Sequence, residues 1–466
     1  MATINDSKPS RFLPILLAIA IFMQQLDATI LNTALPSMAA DLGQSPLNMQ
    51  SAIIAYALTL AIMMPLSGFL SDKLGTRKLF MGSMVIFIIG SVLCAASNNL
   101  ALLVLARIIQ GLGGAMLTPV ARLTMMQAYD RSKLITVMNY AIMPALIGPV
   151  LGPIIGGYLV VYTSWHWIFL LNVPIGLLGL LVTWYIMPNF NRPANYFDGL
   201  GFFLFSASAF CMTLTFETMS HANNILFGCM MAIAGIGALF AYLAHARQNN
   251  RALYPPHLIL VRTFRLGLAG NLVSRLGMSA LPLLLPLLFQ VAFNYDAVNS
   301  GWLLMPLALA AIFAKPFLKP LMNHFGYRNT LAWNTRIIGI LIMSLALISA
   351  STPQWLILLH LCILGACNSL QFTGMNTITL ADLRPNQVSS GTSLMAVNQQ
   401  LALSFGIAIG ALLLQSFSRA SFINHNITTA FRITFIILGV FTLLSSWIFA
   451  RLHSTDGANL LSKEKA

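Results

Sequence analysis

The sequence predicts an all-α polytopic membrane protein with fourteen transmembrane spans, and three features of its 466 residues support this prediction. The chain is 58% hydrophobic and only 8% charged, whereas soluble domains carry roughly 25% charged residues. Its apolar residues group into fourteen runs, and about 20 apolar residues are needed for one helix to cross a bilayer. Its Lys and Arg residues lie in alternate gaps between those runs.

The candidate spans follow one another through mostly short linkers. They cover residues 12–34, 48–70, 79–97, 100–123, 134–161, 166–187, 199–217, 224–245, 266–292, 298–320, 329–350, 354–380, 391–416 and 429–450. The first run is long enough to span, and no small-residue cleavage site precedes the next one. We therefore expect the first run to be a retained span and not a signal peptide.

The basic residues predict the orientation of the chain. They concentrate in the N-terminal segment, in the loops after even-numbered spans and in the C-terminal tail: Lys8, Arg11, Lys73, Arg77, Lys78, Arg131, Lys133, Arg192, Arg247, Arg251, Arg262, Arg265, Lys319, Arg384, Arg451, Lys463 and Lys465. The opposite loops hold only Arg419, with Arg432 at a span edge. The positive-inside rule then places both termini in the cytoplasm, which requires an even number of spans. The net charge of +14 comes from basic residues that are spread over these short loops and form no basic domain, so we expect no nucleic-acid partner.

An internal repeat divides the spans into groups. A short pattern after span two recurs after span ten at a constant offset of 251 residues: Asp72, Gly75 and Arg77 match Asn323, Gly326 and Arg328. Such a repeat indicates duplicated helix bundles, as in many transporters. The predicted domains are a six-helix bundle over 1–190, an inserted helix pair over 191–250, a second six-helix bundle over 251–453 and a cytoplasmic tail over 454–466.

Several segments of the first half resemble the major facilitator superfamily, and specifically its fourteen-span drug:proton antiporter branch, the EmrB/QacA type. These segments are Leu26–Pro36 (LDATILNTALP), Gly68–Lys78 (GFLSDKLGTRK), Arg107–Gly114 (RIIQGLGG), Gly148–Gly157 (GPVLGPIIGG) and Trp165–Gly176 (WHWIFLLNVPIG). The second half is covered mainly by the span count and the repeat. The resemblance implies a major facilitator fold with two inserted helices and a proton-coupled exporter working by alternating access. It also implies a monomer in a bacterial inner membrane, acting on small molecules and protons.

Asp27 and Arg107 are the predicted proton-coupling residues. Asp27 is the only carboxylate well inside a candidate span, and a charge near the bilayer centre costs on the order of 2.5–3.5 kcal/mol on insertion scales. At about 1.5 Å per residue, both residues lie roughly 10 Å below the outer boundary. Protonation of Asp27 would weaken its pairing with Arg107 and couple proton entry to a conformational change. The alternative is a static ion pair that holds helices one and four together.

The predicted substrate-binding residues are polar groups within spans: Gln24, Gln25, Asn32, Gln110, Asn398, Gln399, Arg275 and Arg336. The polar residues of span one spread over about 200° of the helix, so part of that arc either lines a cavity or forms interhelical hydrogen bonds. Arg275 and Arg336 either face the cavity or extend to the inner surface. Because the second half has no carboxylate at matching depth, we expect a neutral or anionic substrate in preference to a quaternary cation.

The predicted gating residues lie in two segments. The resemblance implies that the loop with Gly68, Asp72, Gly75 and Arg77 latches the outward-facing state, with Asp72 facing the N-terminus of the penultimate span near 389–391. The alternative is an ordinary solvated turn. In span five, Gly148, Gly152 and Gly156 form one smooth helix face that permits close packing. Pro149 and Pro153 favour a bend, which suits a rocking movement.

The leading function is proton-coupled export of small amphiphilic molecules or drugs, and the alternative is a narrow-specificity carrier of a neutral or anionic metabolite. A receptor or scaffold is a third class. The sequence contains no G-x-S-x-G, no HExxH and no Walker A loop, so we expect neither an enzyme nor a primary pump, and no catalytic residue, cofactor or metal. The five cysteines lie in apolar segments without a CxxC pair, which is typical of small buried side chains.

Overall fold

The computed structural model describes residues 12–129, 131–191, 196–219, 225–249, 251–384, 387–420 and 426–457, with side chains in all of these ranges except 131–146. Every secondary-structure element in these ranges is helical. The terminal and loop cations Lys8, Arg11, Arg131, Lys133, Arg192, Lys463 and Lys465 fall outside the described side chains. The chain divides into two compact units.

The first unit comprises residues 1–197 and 296–302. Its helices are α1 (Leu13–Asp41), α2 (Gln50–Met63), α3 (Leu66–Leu74), α4 (Thr76–Ala95), α5 (Leu100–Ala128), α6 (Arg131–Tyr162), α7 (His166–Leu170) and α8 (Asn172–Ile186). Helices α2 and α3 form one bent pair with a 60° angle. Pro65 stands at the bend, where its ring and missing N–H prevent a continuous helix.

The second unit comprises residues 198–295 and 303–466. Its helices are α9 (Gly199–Met219), α10 (Ile225–Gln248), α11 (His257–Leu260), α12 (Arg262–Leu287), α13 (Ala297–Phe313, whose first residues belong to the first unit), α14 (Lys315–Ser344), α15 (Gln354–Leu380), α16 (Val388–Ser418) and α17 (Ile427–Ala450). A π-helical turn, Leu288–Ala292, extends α12.

Eleven helices of the described residues are long and apolar enough to cross a membrane, or twelve when the α2–α3 pair is counted as one span. Two further apolar helices are shorter: the described part of α6 at Ile147–Tyr162, and α13. The structure therefore confirms an all-α polytopic membrane protein with eleven to twelve spans by length and composition. The finer count of fourteen is not confirmed, because α13 is shorter than a full span and the side chains of α6 are described only from residue 147 onward.

The inserted pair, α9 and α10, belongs to the second unit. The two helices pack against each other, and α9 also packs against α16, where the rings of Phe216 and Phe405 lie 5.4 Å apart. Only 28% of the most apolar part of α9 and 17% of that of α10 are buried. Such exposed apolar surface is expected of helices whose solvent is lipid.

The repeated loops share an unusual backbone. Gly75 ends α3 with φ 88° and ψ 149°, and Gly326 interrupts α14 with φ 73° and ψ 164°. A positive φ is easily adopted by glycine and disfavoured for other residues. In each loop, the arginine two positions after the glycine donates a hydrogen bond to a backbone carbonyl near the end of a helix in the same unit. Arg77 Nη2 donates to Trp184 O in α8, and Arg328 Nε donates to Ala450 O in α17 at 3.1 Å. The sequence repeat is thus also a repeat of local structure.

Candidate proton-coupling site and polar cluster

Asp27 lies in the middle of α1 and is only 1% exposed. Its Oδ2 accepts a hydrogen bond from Arg107 Nη1 at 2.7 Å. Its Oδ1 accepts from Gln110 Nε2 and from Asn172 Nδ2, each at 2.8 Å. Three donors on α5 and α8 therefore surround one carboxylate, and an ionised carboxylate acts only as an acceptor.

Arg107 is also 1% exposed, and its partners come from four helices. Besides Asp27, its Nη1 donates to Gln110 Oε1 at 2.6 Å, and its Nε donates to the carbonyl of Ala52 in α2 at 3.3 Å. Its guanidinium carbon lies 4.1 Å from the centre of the Tyr56 ring and 5.8 Å from that of Phe169. A desolvated cation over an aromatic ring gains about 2 kcal/mol or more, so the rings help to compensate the burial of the charge.

Side chains of α4 complete this network. Ser91 Oγ accepts from Gln110 Nε2 at 2.8 Å and from Asn172 Nδ2 at 3.3 Å. Cys94 Sγ donates to Gln110 Oε1 at 3.7 Å. The structure therefore brings Asp27 and Arg107 together as predicted, and it places Gln110, predicted as a substrate residue, within the same network.

Asn172, Ser91 and Tyr56 are not among the site residues predicted from the sequence. Asn172 lies in one of the quoted motifs, so its position on the span after Trp165 could have suggested a role. Ser91 and Tyr56 give no such signal, because a single Ser or Tyr in an apolar helix is common and its partner is set by packing across helices.

The glycine face of α6 packs against α1, which carries Asp27. A Cβ at Gly148 would lie 3.0 Å from Leu26 N, and one at Gly152 would lie 3.0 Å from Ile30 N. Thr33 Oγ1 donates to the carbonyl of Pro153 at 3.3 Å. The face predicted to move thus fits closely onto the helix of the buried carboxylate within the first unit.

The other predicted residues of the first unit lie apart from the ion pair. Gln24 Oε1 accepts from Thr118 Oγ1 of α5 at 2.7 Å, and Asn32 is buried further along α1. The Cβ of Gln25 packs against Gly148. In the loop predicted to act as a latch, Asp72 is half-buried on α3, and Gly68 is exposed.

A second polar cluster lies within the second unit, on α12, α15 and α16. Arg275 Nε donates to Asn271 Oδ1 at 2.9 Å. Asn376 Oδ1 accepts from Asn271 Nδ2 at 3.4 Å and from Gln399 Nε2 at 2.9 Å. Asn398 Nδ2 donates to the Leu268 carbonyl at 3.1 Å. The structure thus joins Arg275 and Gln399, which the sequence had singled out, through two asparagines.

Arg336 lies on α14, and its contacts are with other residues. Its Nε donates to Ser446 Oγ of α17 at 3.4 Å, and its guanidinium carbon lies 4.6 Å from the centre of the Trp333 ring. Trp333 is 62% exposed. Arg336 therefore sits beside an exposed aromatic residue, and no hydrogen bond to the Arg275 cluster is found among the described residues.

Comparison with known proteins identifies the family. The family model of the Major Facilitator Superfamily matches this sequence over residues 17–406, with a second match over residues 267–465. The chain belongs to the Major Facilitator Superfamily. It is therefore a multi-pass membrane transporter, which confirms the superfamily and the function class predicted from the sequence.

Relatives of this superfamily member match nearly its whole length. It is 39% identical over 459 residues to the "Probable transport protein HsrA" of Haemophilus influenzae, covering 98% of this chain and 99% of that one. It is 38% identical to the "Putative multidrug resistance protein MdtD" of Serratia proteamaculans, covering 96% and 95% of the two chains. It is 40% identical to the protein of the same name from Escherichia fergusonii, covering 97% and 96%.

Solved structures share the major facilitator fold. A D-xylose-proton symporter matches with a TM-score of 0.69 at 13% identity, over 95% of this chain and 98% of that one. An auto-inhibited POT family peptide transporter matches with a TM-score of 0.68 at 13% identity, over 95% and 98%. These matches support the fold alone.

Proposed function

We propose that the protein is a proton-coupled secondary transporter that exports drugs or other small amphiphilic molecules by alternating access. The observation that carries this proposal is the fully buried Asp27, held by Arg107, Gln110 and Asn172. An ionisable residue buried at membrane depth is a functional candidate by default. The MdtD relatives are named putative multidrug resistance proteins, and this supports the choice of substrate.

The proposed coupling step follows from the hydrogen bonds of Asp27. The ionised carboxylate accepts from three donors and has no donor of its own. A proton on either oxygen occupies one of its lone-pair sites and removes the negative charge, so it competes with the donors at that oxygen and weakens their hydrogen bonds. The pair with Arg107 loses its charge attraction at the same time. Protonation therefore favours a second arrangement of α1 relative to α5 and α8, and α6 moves with α1 because their faces interlock.

The finer features of the architecture belong to the same proposal. We propose fourteen spans, with α6 and α13 as the two that are not counted above, in the EmrB/QacA branch of the superfamily. Both termini are cytoplasmic by the distribution of Lys and Arg. The protein works as a monomer in a bacterial inner membrane and exchanges its substrate for protons, without a nucleic-acid partner. Residues 1–190, 191–250 and 251–453 form the first bundle, the inserted pair and the second bundle.

The test measures proton movement in proteoliposomes with a pH-sensitive dye inside. Three probes with one aromatic body and different charge are supplied: 1-naphthoate, 1-naphthamide and 1-naphthylmethylammonium. We expect at least one probe to drive a proton flux with the wild type. Asp27→Asn should carry that probe down its own gradient without moving protons. Asp41→Asn is the matched control, because Asp41 is an exposed carboxylate at the end of the same helix, bound to Trp165 Nε1 at 2.8 Å.

The results separate the candidate functions. Unimpaired proton-driven transport by Asp27→Asn would assign Asp27 and Arg107 to a static ion pair. Absence of proton flux with all three probes would contradict the exporter and favour a receptor or scaffold. Transport of 1-naphthoate or 1-naphthamide that does not extend to other amphiphiles of the same charge would favour the narrow-specificity carrier of a neutral or anionic metabolite.

A further inference from the structure

Arg275 stands near the middle of a long helix. Helix α12 and its π-helical turn run from Arg262 to Ala292, and at about 1.5 Å per residue Arg275 lies roughly 20 Å along it. Arginine keeps its positive charge in proteins. A cation at this depth is costly unless something compensates it, so its surroundings should reveal the compensating group.

Those surroundings leave the guanidinium incompletely satisfied. Nε donates to Asn271, and the guanidinium carbon lies 4.3 Å from the centre of the Phe372 ring. The Nη2 atom is buried and has no hydrogen-bond partner among the described residues. A side chain that extended to the inner surface would keep its terminal nitrogens in water, whereas Nη2 of Arg275 is buried.

The missing partner is an anion. In the described part of the second unit, the only ion pair is that of His245 with Asp198. Asp382 is bound by Thr263 Oγ1 at the end of α15, and Asp456 accepts from the backbone of His453 beyond α17. The described carboxylates of this unit are Asp198, Glu217, Asp382 and Asp456, and none of them forms an ion pair with Arg275. A charge buried without a partner is destabilising, and an ionisable residue inside a membrane span is a functional candidate by default.

The neighbouring amides favour a ligand in place of a protein side chain. Asn376, Asn398 and Gln399 are half-buried, and Phe372 is 41% exposed. Amide N–H groups and a planar guanidinium together suit a carboxylate, which can accept two parallel hydrogen bonds from Arg. The exposed aromatic ring beside them suits an apolar ligand body.

We propose that Arg275 is the anion-binding residue of the substrate site and that the substrate is an amphiphilic molecule with a carboxylate. The inference rests on the proposed transport function and names its substrate class. In the proposed transport cycle the buried Nη2 becomes accessible and binds the carboxylate, Asn376 and Gln399 orient it, and the apolar part packs against Phe372. Lipophilic cations are excluded from this site by the charge of Arg275 itself.

The test is equilibrium binding to the full-length protein in nanodiscs of zwitterionic phosphatidylcholine, so that no lipid anion competes. 1-Naphthoate, 1-naphthamide and 1-naphthylmethylammonium differ only in the polar group. We expect 1-naphthoate to bind more tightly than the amide and the ammonium not to bind. Arg275→Gln should weaken 1-naphthoate binding roughly 30-fold or more, as expected when one partner of a buried charge pair is removed.

Two further variants test whether the effect is specific to the guanidinium of Arg275. Arg275→Lys retains the charge without the planar fork, so it should recover part of the affinity. Arg265→Gln, an exposed position on the same helix, should bind like the wild type. Thermal unfolding of every variant shows which ones are folded. If Arg275→Gln does not fold, the affinity of Arg275→Lys for 1-naphthoate still tests the role of the guanidinium.

Three outcomes would overturn the inference: no 1-naphthoate binding, equal affinity for 1-naphthoate and 1-naphthamide, or full 1-naphthoate binding by Arg275→Gln. Because binding is measured without a proton gradient, its failure is distinct from failure of the exporter. Proton flux driven by the ammonium or the amide alone would keep the transporter and reject the anion site.

Discussion

The two units are built from a repeated pattern but balance their buried charges in different ways. In the first unit, Arg107 faces Asp27 at 2.7 Å within a network of polar side chains. In the second unit, Arg275 has an asparagine and an aromatic ring, and one of its nitrogens is unpartnered among the described residues. The repeated loop changes in the same direction, since Asp72 corresponds to Asn323.

The two arginines therefore have opposite roles: Arg107 is fully buried beside its carboxylate, whereas Arg275 is half-buried and its buried Nη2 has no partner among the described residues. Arg107 neutralises a carboxylate that belongs to the protein, so its removal leaves a buried charge behind. Arg275 is itself the uncompensated charge, so its removal relieves a cost. The same substitution in the two units should therefore change stability in opposite directions.

The largest effect is expected for Arg107→Met, which leaves the buried carboxyl of Asp27 without its cation. Breaking a buried ion pair by removing one partner costs about 3–5 kcal/mol. We expect a large drop in Tm, measured by the intrinsic fluorescence of the purified protein. The double variant Asp27→Asn/Arg107→Met should regain much of the loss, because both charges leave together. A double variant as unstable as the two single changes combined would contradict this account.

Arg275→Met should leave the free energy of unfolding unchanged or raise it. The variant loses the hydrogen bond to Asn271, worth about 1.5–3 kcal/mol for a charged donor, and some contact with Phe372. It also removes the desolvation cost of the cation, several kcal/mol per buried ion. The Tm of the ligand-free protein measures the balance. A fall as large as that of Arg107→Met would mean that Arg275 already has an anionic partner in the resting protein.

Close helix packing should matter equally in both units. A Cβ at Gly152 would overlap Thr29 Oγ1 and lie 3.0 Å from Ile30 N, and one at Gly406 would lie 2.9 Å from the carbonyl of Leu276. We expect Gly152→Ala and Gly406→Ala each to cost about 1–3 kcal/mol, as overpacking does. Gly237→Ala on α10, with nothing within 4 Å, is the control and should not lower the Tm. Equal stability of all three variants would show that neither glycine contact is tight.

Much of this organisation could be predicted from the sequence, because the bilayer imposes a length and a composition on each helix. The spans, the repeat around Gly75 and Gly326, and Asp27 with its partner Arg107 all have a strong signal in a chain with few charges. The other members of the network have a weaker signal or none. Asn172 lies in a quoted motif, whereas Tyr56, which lies against Arg107, and Ser91, which binds Gln110 and Asn172, are positioned only by packing across helices. The bend at Pro65 and the short α13 also escaped a count based on apolar runs.

The smallest effect is expected at the ion pair of the second unit, which lies at the end of the inserted helices. Asp198 Oδ1 accepts from His245 Nε2 at 2.8 Å and from Gly201 N at 3.0 Å, and its Oδ2 accepts from Leu253 N at 3.1 Å. Burial alone would raise the pKa of Asp198, but the two backbone N–H groups and His245 outweigh it and hold the pKa below its ordinary value.

The sign of the pH dependence follows from that lowered pKa. A carboxyl whose pKa is lower in the folded state stabilises the protein above its unfolded pKa, about 3.9 for Asp, and loses this contribution as the pH falls through the folded value. Asp198→Ala should cost about 1 kcal/mol at pH 7, as for a lost helix cap, whereas Asp198→Asn keeps an acceptor oxygen and isolates the charge. We expect the Tm difference between the wild type and Asp198→Asn to shrink from pH 7 to pH 3. A difference that stays constant over that range would show that the hydrogen bonds, and not the charge, hold this end of α9 in place.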